Sequence, residues 1–125
     1  MDIGELEAEV LHVLKKFGRA SARSIFEELG KKRPIAYTTV STTLDRLHKK
    51  GLVKRDEESG RGGMRYVYVY PKNPTLQKNI AGRMVDRLVT AFGPSVVSSI
   101  YERLAEIPDS RIEDLKKRVR RASSK

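Results

Sequence analysis

The change of hydrophobic period along the chain constrains its fold most strongly. Apolar residues recur three and four positions apart in residues 3–17, 21–29 and 36–50, as expected for three amphipathic helices, and a glycine follows each stretch. Residues 52–57 and 64–70 are instead short strand-like runs, and the second, MRYVYVY, alternates with period two. The glycine-rich segment between these runs permits a hairpin turn. Three helices followed by a β-hairpin predict a winged helix-turn-helix.

Helical spacing returns after Pro71 and Pro74, and it continues past Gly93. Three short helices and a hairpin nearly close their own core, so the apolar stripe of these later helices needs a partner surface. A second copy of the chain is the simplest partner, and we therefore expect a homodimer. The predicted interface residues are Leu76, Ile80, Met84, Leu88, Phe92, Val97, Ile100 and Leu104.

The predicted fold class is mainly α with a small β-hairpin. We expect a winged helix-turn-helix at residues 1–71 and, at residues 72–125, a helical dimerisation region that ends in a basic tail. The last predicted helix follows Pro108 and carries Ile112, Leu115 and Val119 on its apolar side.

Positive charge is concentrated in two segments of this 125-residue chain, whose formal net charge is +10. Residues 31–65 hold ten Lys or Arg against four Asp or Glu, and residues 111–125 hold seven against two. The first segment coincides with the predicted helix-turn-helix and hairpin, so double-stranded DNA is the predicted partner. The second segment either contacts flanking phosphates or only offsets the dipole of the last helix.

The polar face of the third predicted helix is rich in Thr and Ser, although both residues are mediocre helix formers. An α-helix fits the major groove, where short hydroxyl side chains approach base edges or phosphates closely. Arginines at the glycine-rich hairpin are placed to reach an adjacent phosphate run or the minor groove. The predicted DNA contacts are therefore Thr38, Thr39, Ser41, Thr42, Arg46, Lys49, Arg61 and Arg65.

The run AYTTVSTTLDRLHKKGLVKR, with SARSIFEELG before it and RYVYVYP after it, resembles the penicillinase repressor family (BlaI, MecI and CopY type) of transcriptional repressors. The similarity extends from Leu6 to about Val119 and is densest over residues 36–54. It implies a dimeric winged-helix repressor whose third helix reads operator half-sites and whose C-terminal helices form the dimer interface. By position in this motif, Tyr37 either packs or touches a phosphate.

Two departures from that family concern release from DNA. Antibiotic-responsive members are cut at an Asn-Phe bond, and this sequence contains no Asn-Phe pair. Copper-responsive members use C-terminal cysteines, and this sequence has no cysteine. The resemblance therefore leaves the inducing signal open.

Several function classes find little support in the sequence. Without cysteine there are no disulfides, thiolate metal sites or Cys nucleophiles. His12 and His48 lie on separate predicted helices without further ligands at metal spacing, so neither a metal nor a cofactor is predicted. No nucleophile stands at motif spacing beside a base, and we predict neither an enzyme nor a small-molecule site. No apolar run approaches the ~20 residues that span a bilayer, and the N-terminal residues are acidic, which predicts a cytoplasmic protein.

Three functions are compatible with these features. The favoured one is a sequence-specific repressor that binds a pseudo-palindromic operator as a homodimer, with half-sites about 10 bp apart or a multiple of that. The first alternative is an architectural protein that coats DNA with low sequence specificity, as the excess charge and the basic tail suggest. The second is a protein-interaction module, since a fold does not fix a function.

Overall fold

The computed structural model of this chain describes residues 3–60 and 62–107. The elements in these residues are α1 (Glu5–Phe17), β1 (Arg19–Ser21), α2 (Ala22–Gly30), α3 (Tyr37–Lys49), β2 (Lys54–Gly60), β3 (Gly63–Val69), α4 (Pro74–Phe92) and α5 (Val96–Glu106). The chain divides into two compact units, Met1–Ala81 and Gly82–Lys125, and the boundary falls inside α4.

The ends of the first three helices follow from local backbone chemistry. The Ser21 hydroxyl accepts a hydrogen bond from the Ser24 N–H at 3.3 Å and so caps α2, as predicted. Gly18 has φ 75° and its N–H bonds the Leu14 carbonyl at 2.7 Å, which ends α1. Gly51 has φ 77° just beyond α3. Gly30, expected to be a stop of the same kind, is instead the last residue of α2.

The hairpin of β2 and β3 belongs to a three-stranded antiparallel sheet of order β1-β3-β2. Strand β1 was not predicted from the sequence, because three residues are too few to show a period; it is defined by its pairing with β3, from Arg19 opposite Val69 to Ser21 opposite Val67. Strand β2 starts at Lys54, two residues later than expected, because Leu52 and Val53 turn into the core.

The core of the first unit is built from the inner sides of α1, α2 and α3 and the base of the sheet. Its fully buried side chains are Val10, Val13, Leu14, Ile25, Val40, Leu44, Leu47 and Leu52. The C-terminal end of α3 is also tied to α1, since the Lys50 ammonium donates to both carboxylate oxygens of Glu7 at 2.8 Å. The buried apolar side of α3 and the bond from Lys50 to Glu7 hold this helix in one orientation, and this orientation determines which of its side chains face outward.

Helices α4 and α5 keep large apolar side chains exposed in the single chain. Phe92 is 70% exposed and Tyr101 45% exposed, whereas Ile80, nearer the start of α4, is buried. None of the described helices is both long and apolar enough to span a bilayer. The last predicted helix, with Ile112, Leu115 and Val119, lies outside the described residues.

Candidate nucleic-acid interface

The outward face of α3 carries most of the residues predicted to read DNA. Thr38, Thr39, Thr42 and Arg46 are exposed, and Ser41 is half-buried. Within the described residues, the Arg46 side chain takes part in no ion pair or hydrogen bond. This face therefore offers hydroxyl groups and one arginine that has no competing partner in residues 3–60 and 62–107.

Thr43 lies on the core side of α3, next to the outward-facing Thr42. It is 4% exposed, and its hydroxyl donates to the Thr39 carbonyl at 2.7 Å. Such a bond to the preceding turn satisfies the hydroxyl inside the protein. Two neighbouring threonines, Thr42 and Thr43, thus have opposite environments on one helix.

Tyr37, the first residue of α3, is 43% exposed. The sequence left its role open between packing and a phosphate contact. Its ring meets Phe26 of α2 edge-on, with the centroids 5.7 Å apart, and the Arg23 guanidinium lies 5.9 Å from the Tyr37 centroid. Helix α2 therefore holds this ring at the surface.

Asp45 places a carboxylate on the otherwise hydroxyl-rich and basic side of α3. One of its oxygens lies 3.0 Å from the Lys49 ammonium, and the other accepts a hydrogen bond from Arg55 at 3.1 Å. The Lys49 ammonium, followed by Arg55, holds the pKa of Asp45 below its usual value. The predicted contact Lys49 therefore already has an anionic partner, unlike Arg46.

The hairpin combines basic and acidic side chains. Arg65 is exposed, and its guanidinium lies 3.6 Å from the Glu58 carboxylate. Arg19 of β1 pairs with Glu58 and, at 2.9 Å, with Asp56. Hydrogen bonding to Arg19, with a smaller contribution from Arg65, holds the pKa of Glu58 below its usual value. The other predicted hairpin contact, Arg61, lies outside the described residues.

A groove separates the hairpin from the N-terminal parts of α2 and α3. Its lining includes Arg23, Tyr37, Ser41, Met64 and Tyr66. Met64 is 62% exposed and Tyr66 46% exposed. Arg23, Met64 and Tyr66 were not predicted from the sequence, because the prediction was based on positive charge in the hairpin and on hydroxyl groups in the third helix. The period of two in MRYVYVY, which puts Met64 and Tyr66 on the same side of β3, was the available signal.

The residues predicted to form the dimer interface differ in exposure. Leu88, Phe92 and Val97 are exposed, whereas Ile80 is buried. The half-buried members are Leu76, Met84, Ile100 and Leu104. Val85 and Tyr101, which the prediction did not include, add further exposed apolar surface.

The described residues contain no group of three or more His, Cys, Asp or Glu side chains that could hold a metal ion. His12 is exposed, and His48 is half-buried near the end of α3.

Residues 3–121 match the family model described as "Penicillinase repressor". The chain belongs to the penicillinase repressor family. This result confirms the resemblance seen in the sequence around α3. The "Transcriptional regulator BlaI" proteins of two Mycobacterium tuberculosis strains, CDC 1551 and H37Rv, are each 37% identical to it over 92 residues, which is 71% of this chain. The aligned part spans 61% of the length of those relatives.

The fold of this penicillinase repressor family member also recurs in a solved structure. The complex structure of hsRosR-S4 superimposes with a TM-score of 0.52 at 15% sequence identity, covering 98% of this chain and 90% of the other. At this identity the likeness concerns the fold alone. The predicted fold class, mainly helical with a winged helix-turn-helix, is confirmed.

Proposed function

We propose that this penicillinase repressor family member is a sequence-specific DNA-binding transcriptional regulator that represses by occupying a pseudo-palindromic operator as a homodimer. The observation that carries the proposal is the outward face of α3, where exposed Thr38, Thr39 and Thr42 accompany Arg46. Local helix stability does not favour threonine at these positions. Reading base edges in a major groove does, because a short side chain lets the helix approach closely.

The proposed roles divide between reading and anchoring. Hydroxyl groups of α3 face base edges, and Arg46 bonds either a guanine edge or a phosphate. Tyr37 and Lys49 lie at the two ends of α3, where we assign them to the flanking phosphates. Arg65 reaches the phosphate run beside the hairpin, and Arg61 is assigned there from its position in the sequence.

A homodimer is supported by the apolar side chains that α4 and α5 leave exposed, Phe92 most of all. A chain of this size rarely exposes so many large apolar residues unless another surface covers them. A two-fold dimer presents two α3 helices to successive turns of one face of the duplex. The operator half-sites would then lie about 10 bp apart or a multiple of that.

Enrichment and sequencing of bound DNA from a randomised duplex pool, at about physiological salt, tests this function. We expect a pseudo-palindromic consensus and a preference of at least ~10³ over random duplex. Retention of bulk DNA without a consensus would favour the architectural alternative, in which counterion release dominates binding. Failure to bind any duplex at low salt would favour the protein-interaction alternative.

Thr42→Ala is expected to change which base is preferred at one position of each half-site. Loss of one hydroxyl contact corresponds to about 1 kcal/mol, or roughly a fivefold change in relative affinity at that position. The measurement is competitive binding of the variant to operators mutated one base pair at a time. The matched control is Thr43→Val, which removes the buried hydroxyl next to it. We expect the control to lower stability slightly and to keep the preference; a shifted preference in Thr43→Val alone would contradict our choice of reading face.

A further inference from the structure

Arg55 lies at the junction between α3 and the hairpin. From its place in β2, its guanidinium donates to the Asp45 carboxylate of α3 at 3.1 Å. The same guanidinium lies 4.1 Å from the ring centroid of Tyr66 in β3. One side chain therefore connects the helix to both strands of the hairpin.

The surroundings of Arg55 hold its guanidinium in this place. Its side chain is 24% exposed, much less than that of Arg65, at 63%. Hydrogen bonding to the buried Tyr68 is the largest cause that raises the pKa of Arg55. A planar guanidinium can bond a carboxylate at its edge while its face stacks on an aromatic ring, whereas an ammonium is a compact charge without such a face.

Few buried side chains fix the direction of the outer half of the hairpin. Near its base, Val67 and Tyr68 are buried in the core. Beyond Tyr66, the residues of β3 and the facing end of β2 are exposed, apart from the half-buried Glu58. In the described part of the chain, the backbone of α3 makes few close contacts with the backbone of β2 or β3. Side-chain contacts therefore contribute to the angle between them, those of Arg55 on the side of α3 and the pairs of Arg19 with Asp56 and Glu58 from β1.

We propose that Arg55 is a positioning residue, which links Asp45 of α3 to Tyr66 of β3 and so holds the hairpin at the angle that lets Arg65 and α3 contact one duplex together. This inference rests on the proposed DNA binding. Arg55 does not itself need to touch DNA, because its guanidinium is engaged by Asp45 and Tyr66.

A double-mutant cycle between Arg55→Met and Arg65→Ala tests the inference. The readout is affinity for the selected operator, by fluorescence anisotropy at fixed salt. In the wild-type background we expect Arg65→Ala to weaken binding about tenfold, as for loss of one charge-assisted contact. In the Arg55→Met background we expect the same change to weaken binding less than about twofold, since the hairpin no longer presents Arg65 correctly.

Equal effects of Arg65→Ala in the two backgrounds would overturn the inference and leave the proposed function intact. So would an Arg65→Ala variant that binds as wild type does, because there would be no hairpin contact to position. Wild-type protein that binds no duplex would instead defeat the proposed function itself.

Three further variants separate positioning from charge and from misfolding. Lys54→Met removes one positive charge from the neighbouring, exposed position of β2, and its effect should add to that of Arg65→Ala. Arg55→Lys keeps the charge but loses the planar group, so it should behave as Arg55→Met; full recovery of the coupling by lysine would contradict positioning. Asp45→Asn removes a negative charge, which by itself would favour DNA binding. We nevertheless expect Arg65→Ala to weaken binding less in this background than in the wild type. An equal weakening in the two backgrounds would contradict the proposed contact between Asp45 and Arg55. Thermal denaturation confirms that each variant is folded.

Discussion

Leu44→Ala is expected to lower the free energy of unfolding by about 2–5 kcal/mol, because it empties a fully buried site on the inner side of α3. For a unit of this size each 1 kcal/mol shifts the melting temperature by about 4–8 °C, so a fall of roughly 8–40 °C should follow. Circular dichroism during urea and thermal denaturation measures both quantities. The protomer concentration must be fixed, since the stability of a dimer depends on it.

The control for this prediction is Leu11→Ala in α1, which removes the same atoms from a side chain that is only half-buried. We expect a loss of about 1 kcal/mol there, in proportion to the smaller apolar area removed from water. Equal losses in the two variants would contradict the core as described. Well below the melting temperature, Leu44→Ala should keep the base preference of the wild type, because the outward threonines are unchanged.

The helices of the first unit could be predicted from the sequence because their signals are local. Repeated apolar spacing locates α1, α2 and α3, and the cap at Ser21 and the left-handed glycines Gly18 and Gly51 set their ends. The apolar spacing, the cap and the glycines each depend on residues that lie within about two helical turns of one another. The fold class followed from the order of these elements.

Features that depend on distant residues could not be predicted in the same way. Strand β1 exists because it pairs with β3, about 50 residues later, and three residues alone carry no pattern. Arg55 and Asp45 meet because the hairpin returns beside α3, and Arg55 and Tyr66 meet through the register of two strands. None of these partners is visible in the spacing of residues along the chain.

Net charge describes the candidate interface incompletely, because it does not show which acidic side chain lies beside each basic one in the fold. Lys49 and Arg65 counted equally with Arg46 in the sequence, but they lie beside Asp45 and Glu58. A phosphate must replace those carboxylates, or add to them, before either cation contributes its full charge. Arg46 has no such competitor among the described residues. We therefore expect Arg46 to contribute more to DNA affinity than either of the other two.

Phe92→Asp is expected to raise the dissociation constant of the homodimer about 10³-fold. Phe92 is the most exposed of the large apolar side chains in the described residues, and a two-fold interface would contain it twice. A buried aromatic contact is worth about 2 kcal/mol or more, so two copies give about 4 kcal/mol. Sedimentation velocity across a range of protomer concentrations measures the change.

Thr90→Asp is the matched control, because it places the same charge in the same last turn of α4. Thr90 lies about 200° around the helix from Phe92, so it projects from nearly the opposite side. Both variants carry the same cost of an acidic residue near a helix C-terminus, and only Phe92→Asp should dissociate. On DNA, Phe92→Asp should bind a full operator no better than a single half-site, whereas Thr90→Asp should keep the wild-type preference for the full operator. A dimeric Phe92→Asp protein would show that another surface joins the two copies, and a monomeric wild type would contradict dimeric operator binding altogether.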